Sequence, residues 1–512
     1  MGAIMKPNIL LIMTDQQRYD TIHALGNKKI YTPNMDRLVK RGVSFLNAYS
    51  PTPVCVPARY TIRTGCDSRN TRAFKNQIAP AVNGQKPTIE ERCGQYIGKT
   101  MRNLGYRTFG IGKFHTYPWD ENLGYDVHLH SEELYDDQDQ RKRDSYVKWL
   151  RENHPQYNYV EALMGERSDM YYQPQVSIVP AELGVENWAA EQAVIEINKK
   201  EDKPYFGFIS FIGPHPPFAP PLPYNRMYNP DNMDNRLLSN IEIDLMDEQM
   251  KYMNQMVWAE DMPDAHIRIL KARYYGEISY IDTCLGKILD AVDNTDDPDN
   301  TLIVFTSDHG DNLGDHHSWQ KECFFDTAMK IPFLVSWPKK LPQNITNNTL
   351  ASLTDLFAIA TNAGGSTELR DGADILDIIL EKTTPRKHIV GLYGLPGSFL
   401  FKIMIRDDRW KFNYYANGNK TQLYDMLEDP NETINQIQKY PDIAKNLYQI
   451  AVQECQHPGL IDACENGQLK AFPYQERPKG RYYQFDASRG IFGYPKNPED
   501  ALKEYQSKKW QY

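Results

Sequence analysis

In residues 8–17, Asn-Ile-Leu-Leu-Ile-Met-Thr-Asp-Gln-Gln, an unbroken apolar run (8–13) stops at a polar cluster. Such a run, short and without alternation, reads as a strand buried on both faces, as in a parallel sheet covered by helices. Three further stretches repeat the pattern. Residues 107–111 run into Gly112-Lys113-Phe114-His115, residues 205–212 into Gly213-Pro214-His215, and residues 302–307 into Asp308-His309-Gly310-Asp311. Longer amphipathic segments separate them. This predicts an α/β fold: a large mixed, mostly parallel sheet sandwiched by helices. Ligands of such sheets bind beyond the carboxyl ends of the strands, where all four clusters fall.

The clusters divide by chemistry. Asp15, Asp308 and His309 offer hard oxygens and an imidazole, suited to a divalent cation, and Gln16 adds a neutral amide oxygen. Lys113, His115, His215 and Lys321 can meet an anion's oxygens and protonate a leaving group. A fifth stretch, Cys55-Val-Pro-Ala-Arg59 in CVPARYTIRTG, reads as a loop turning into a helix. Pro57 suits a first helical position and Gly65 a stop. Cys55 then sits at the positive helix end, with Arg59 one turn on along the same face. Only three residues separate Cys55 from Arg59, two fewer than a cysteine-phosphatase loop needs. The set suits a tetrahedral anion, a sulfuryl or phosphoryl ester.

Composition narrows the alternatives. The chain has 512 residues, 41% hydrophobic and 24% charged, enough for a sizeable core and for about three domains. A net charge of −9 offers no global field for nucleic acid. No apolar run approaches the ~20 residues of a membrane span. The stretch MGAIMKPNILLIMTDQQ reads as lacking a secretory leader, and Lys6 stands where a myristoylation signal wants Ser or Thr. The expected placement is cytoplasmic, or periplasmic had a leader been removed. Seven cysteines (55, 66, 93, 284, 323, 455, 464), with no C-x-x-C pair, argue against a zinc knuckle or disulfide framework. The Asn-x-Thr triplets at Asn344, Asn347, Asn419 and Asn431 are then chance occurrences.

On these residues the chain resembles the type I, formylglycine-dependent sulfatases of the alkaline phosphatase-like superfamily. CVPARYTIRTG is similar to the signature whose cysteine is oxidised to formylglycine. GIGKFH, PHPPF and TSDHGDNLGDHHSWQK resemble further family motifs, and the likeness runs in order from about residue 7 to about residue 430. The resemblance implies that Cys55 becomes an aldehyde whose hydrate is the nucleophile, acted on by Arg59, Lys113, His115, His215 and Lys321. It implies a metal, usually Ca²⁺ and alternatively Mn²⁺ or Mg²⁺, at Asp15, Gln16, Asp308, His309 and the modified Cys55. It also implies a formylglycine-generating maturation enzyme as partner and a small sulfated substrate, first a saccharide; an oligomer stays open. Asp15-Gln16 and Asp308-His309 depart from the double Asp and Asp-Asn of many animal members. Choline sulfatases, bacterial carbohydrate sulfatases and phosphonate monoester hydrolases share this pattern. A phosphonate or phosphate ester hydrolase, and a non-catalytic anion binder with Cys55 unmodified, therefore remain alternatives. Ala58 replaces the common Ser of the signature.

The expected division is 1–384 catalytic, 385–456 a smaller C-terminal antiparallel sheet plus helix domain, and 457–512 an extension packed on the surface or at a subunit interface. FLFKIMIRDDRWKFNYY alternates like antiparallel strands turning at Asp407-Asp408, and a helix is expected over about 433–456. The extension is Tyr-, Phe-, Pro- and Lys-rich and reads first as a surface strap. Asp136–Arg143 reads as a solvated charged face, and the aromatics of 115–130 as a packed loop or a sugar-stacking wall.

Overall fold

The computed structural model describes residues 6–81, 86–132, 138–157, 172, 174–177, 179–239, 247–256 and 262–477. Part of the 136–143 charge run and most of the expected extension lie outside them. The eight-stranded sheet contains β1 (Asn8–Thr14), β2 (Val43–Tyr49), β3 (Arg107–Gly112), β4 (Val127–His130), β5 (Tyr205–Ser210), β6 (Thr301–Ser307), β7 (Phe333–Ser336) and β8 (Ile345–Ser352). Its order is β8-β2-β7-β6-β1-β5-β3-β4. Every pairing is parallel except the two made by β7.

β1 shows why the apolar run is unbroken. Leu10 and Ile12 join one buried cluster, Ile9, Leu11 and Met13 the other. Successive side chains enter opposite helical layers, so neither face is left for polar residues. One layer holds α2 (Val185–Ile197) and α4 (Asp264–Asp293); the other holds α1 (Cys55–Thr64) and α5 (Asp355–Ala363). The strands bearing the four polar clusters, β6, β1, β5 and β3, are adjacent and parallel. Met13 and Gly112 both register with Ser210, and Thr14 with Ser307, so the clusters leave one edge side by side.

Two expected boundaries shift. β5 ends at Ser210 rather than 212, because the N–H groups of Ile212 and Gly213 donate to the Glu186 carboxylate (3.3 and 2.7 Å). The helix expected over about 433–456 is α6 (Pro441–Glu454), which begins eight residues later than expected. The N–H groups of Ile434 and Gln436 go instead to Asp429 and to the Leu423 carbonyl, and Pro441 opens the helix. α6 packs on a second, antiparallel sheet: β9 (Ile389–Tyr393), β10 (Lys402–Arg406), β11 (Trp410–Tyr415) and β12 (Lys420–Asp425). None of the seven cysteines is joined in a disulfide.

Two buried lysines join the sheets. Lys402 on β10 ion-pairs with Asp247 and donates to the Glu322 carbonyl (2.5 Å). Lys411 on β11 reaches the Phe324 carbonyl (2.7 Å), Asp326 (2.6 Å) and Glu432 (2.7 Å). Removing Lys411 takes an ion-pair partner from two buried carboxyls, of which Asp326 keeps Lys330 at 3.6 Å, and costs about 3–5 kcal/mol. We expect Lys411→Met to lower the urea midpoint accordingly. Burial already raises Glu432, so in the variant a proton relieves the strain. Without Lys411, which lowers it, Glu432 rises further, so its share of the loss shrinks as pH falls from that higher value to the value of about 7 it has in the unaltered protein, and no further below it.

Candidate active site

α1 starts at Cys55 with Val54 as N-cap and ends at Gly65. Pro57 is thus the third helical residue, not the first. It is tolerated because the first helical hydrogen bond, Ala58 N–H to the Val54 carbonyl (3.1 Å), lies beyond it. The helix end is a poorer anion cradle than its sequence indicates: the Val56 N–H is taken by Asn76 (3.1 Å), and Pro57 has none. Positive charge at the site comes mainly from side chains.

The strand-end clusters meet around Cys55, which is 1% exposed. Its Sγ lies 3.2 Å from His309 Nε2, 3.2 Å from Lys321 Nζ and 3.7 Å from Asp15 Oδ1. One ligand atom from each of Asp15, Cys55, Asp308 and His309 falls within 4.8 Å of the others. His309 Nδ1 lies 3.0 Å from the Gly310 carbonyl, which can only accept. That assigns the proton to Nδ1 and leaves the Nε2 lone pair facing the sulfur and both carboxylates. Two carboxylates, an imidazole and the position of the sulfur fit a divalent cation.

Arg59 is spent on this cluster rather than held open as a fork. It donates to Asp15 Oδ2 (2.9 Å), Asp308 Oδ2 (3.1 Å), Ser210 Oγ (2.9 Å) and the Lys113 carbonyl (2.6 Å). Lys113 Nζ adds a contact of 2.5 Å to Asp15. Gln16 gives its N–H to Asp308 (3.0 Å) and its amide nitrogen to Asp311, and its oxygen accepts from Lys321 (2.5 Å).

Burial would raise the Asp15 carboxyl, but Lys113, His215, Arg59 and Lys321 outweigh it and hold Asp15 well below the usual carboxylate range. Burial, then the charge of Asp15, pushes Asp308 up against the opposing cations. Burial and Lys321 hold His309 well down, as a neutral ligand requires. Burial and Asp15 push the Cys55 thiol up to about 12, so it is no thiolate at neutral pH.

The histidines are placed from outside the cluster. His215 Nδ1 faces the Pro216 carbonyl (2.8 Å), and its charge is felt at Asp15 and His309. His115, at φ 52°, is held by its backbone: Glu132 accepts the N–H groups of Phe114 (2.7 Å) and His115 (2.6 Å). Burial would raise Glu132, but bonding to His130 and the charges of His130 and His115 bring it down to about 2. Gly112, at φ 102°, lets this turn form, because a Cβ there would lie 2.0 Å from the Ser210 carbonyl oxygen.

Sequence reading passed over three buried acids. Glu132 follows β4, away from the four clusters. Glu186, on α2, anchors the Gly213 loop; burial pushes it up to about 7, and burial with Glu186 nearby pushes Glu277 up to about 8. Asp311 closes the Asp308 cluster, where its residue type alone assigns it no role. It accepts from Gln16, Tyr172 (2.5 Å), Leu313 (2.8 Å) and Gln320 (3.1 Å), and so shapes the loop carrying Lys321. Only its place beside Asp308 could have signalled it.

The mostly parallel sheet has the alkaline phosphatase-like fold and brings Asp15, Asp308 and His309, which could hold a metal ion, beside the helix-borne Cys55. The chain belongs to the sulfatase family, sulfuric ester hydrolases whose pattern matches residues 7–365; residues 314–456 match the C-terminal region of N-sulphoglucosamine sulphohydrolase. It is 26% identical over 492 residues to an arylsulfatase of Clostridium perfringens, covering 92% of this chain and 98% of that one. A phosphonate monoester hydrolase of Agrobacterium radiobacter shares the fold with a TM-score of 0.73 at 24% identity, covering 88% and 96% of the two chains. A protein solved in complex with its substrate D-glucosamine-2-N,6-O-disulfate does so at 0.66 and 19%, covering 88% and 98%. Among the described residues no helix is long and apolar enough to cross a membrane.

Misplacing a reacting group by an ångström costs about 10²-fold. Glu132→Ala should therefore lower kcat/KM on an aryl sulfate by roughly that factor, with the circular dichroism spectrum unchanged.

Proposed function

We propose that the protein hydrolyses a sulfate monoester on a saccharide, using Cys55 oxidised to formylglycine and a divalent cation, first Ca²⁺. Asp15, Gln16, Asp308, His309 and the oxidised Cys55 would hold the cation. The observation that carries the reading is the position of Cys55 Sγ, 3.2 Å from both His309 Nε2 and Lys321 Nζ. An oxygen in place of that sulfur lies between the metal donors and a cationic side chain. The cation would polarise the ester and ease deprotonation of a bound hydroxyl. As an aldehyde hydrate, Cys55 would supply one hydroxyl to attack sulfur and a second whose deprotonation frees sulfate, an escape that a thiol lacks.

The chain's own groups divide the remaining work. Arg59 locks Asp15 and Asp308 in place. Lys113 neutralises Asp15 and steadies the anion. His215 and Lys321 stand on the leaving-group side, where a proton must be delivered, and His115 receives one when sulfate leaves. The same reading makes 1–384 the catalytic domain and 385–456 a small α+β domain, with CVPAR the recognition stretch for a maturation enzyme. The saccharide draws support from the glucosamine disulfate bound by one structural neighbour.

Peptide mass spectrometry on protein from the native host should find an aldehyde at Cys55; an intact thiol there would leave only an anion-binding role. Cys55→Ala should abolish turnover and leave the thermal midpoint almost unchanged. Chelation should remove activity, and added Ca²⁺ or Mn²⁺ restore it. Paired aryl sulfate and aryl phosphonate substrates test the reaction class: a large phosphonate preference would overturn the sulfatase assignment. A panel of defined sulfated mono- and disaccharides then tests the substrate.

Lys321→Ala should slow esters with poor leaving groups by about 10²-fold or more and activated aryl esters far less. Equal slowing of both would remove Lys321 from the leaving-group side.

A further inference from the structure

Segment 470–477 follows a short hairpin, β13 (Cys464–Glu465) and β14 (Gln468–Leu469). It is bonded to the end of β11. The Phe472 N–H donates to the Ala416 carbonyl (2.8 Å), and the Gly418 N–H to the Phe472 carbonyl (2.9 Å). The Asn417 side chain bonds the N–H and the carbonyl of Gln475 (2.8 Å each). The segment then grips α3 (Glu248–Met256). Tyr474 Oη donates to Glu248 Oε2 (2.7 Å), and the Arg477 N–H to Glu248 Oε1 (2.8 Å). The Arg477 side chain donates to Gln249, and its guanidinium lies 3.6 Å from the centre of the Tyr252 ring.

The other side of α3 covers the loop that carries Lys321. Met250 packs with Cys323 and Phe325. Asn254 Nδ2 donates to the His317 carbonyl (2.6 Å), and Asn254 Oδ1 accepts the Trp319 N–H (3.1 Å). Gln249 Nε2 donates to Glu322. α3 thus pins the chain on both sides of Lys321. Pinning is needed, because Gln320 and Glu322 hold φ values of 62° and 73°, which side-chain-bearing residues keep only when their surroundings impose them.

We propose that residues 470–477 are a strap holding α3 against the 317–322 loop, and that Asn254 is a positioning residue keeping Lys321 Nζ at Cys55. The proposal rests on the reading of Lys321 as a leaving-group residue, and one of its two tests does not use that reading. In the full chain, Asn254→Ala should slow aryl sulfates with poor leaving groups by about 30-fold or more and activated ones less than about 3-fold. Tyr474→Phe combined with Arg477→Ala should do the same to a smaller extent. Neither should slow Lys321→Ala further. Equal slowing of both esters, or additive slowing in the Lys321→Ala background, overturns the positioning role. Independently of activity, hydrogen exchange at the amides of 317–322 should accelerate in both variants while the thermal midpoint holds. Unchanged exchange overturns the strap. If the unaltered protein cleaves no sulfate ester, the Lys321 reading fails on its own and the exchange experiment still decides the strap.

Discussion

Asp15 and Asp308 are fully buried side by side, and most of the molecule near the sheet edge serves to make that tolerable. Two bare carboxylates in a dry interior repel each other and forfeit their hydration. Arg59 bridges them while also bonding Ser210 and the Lys113 carbonyl, so one guanidinium ties together the ends of β1, β3, β5 and β6. Lys113 and Lys321 supply further positive charge. Under the proposed function the cluster would receive a divalent ion and an anion together, with little water between them.

The layers follow from the same edge. Four adjacent parallel strands deliver their polar ends to one place only because helices cover both faces and leave the carboxyl edge as the open side. The second sheet, far along the chain, contributes by bracing. Lys402 and Lys411 send buried ammonium groups into segment 322–326, directly after Lys321. The loop that carries Lys321 is thus held by β10 and β11, by α3 and by Asp311 together.

Near the site, residues other than glycine hold positive φ values at Gln16, His115, His316, His317, Gln320 and Glu322. Such backbone persists where surrounding bonds over-determine it. Each instance near the site has a visible constraint, such as Glu132 below His115, Asp311 beside Gln16 and Gln320, and Gln249 on Glu322. The backbone there is held by neighbours rather than by local preference.

The sequence determined the sheet, its central strands and the residue types at their ends, because an apolar run buried on both faces and a polar stop are local signals. It also placed the turn at Asp407-Asp408 and brought the α1 start to within two residues, at Pro57 where the helix begins at Cys55, because proline and aspartate act over a few residues. Tertiary structure alone decided that Arg59 serves the carboxylates rather than an open anion site, that the Val56 N–H is already taken by Asn76, and that Glu132, Glu186 and Asp311 support the loops carrying His115, His215 and Lys321. Those facts depend on contacts between segments tens to hundreds of residues apart. A residue type states what bonds are possible, and only the folded neighbourhood states which of them are already taken.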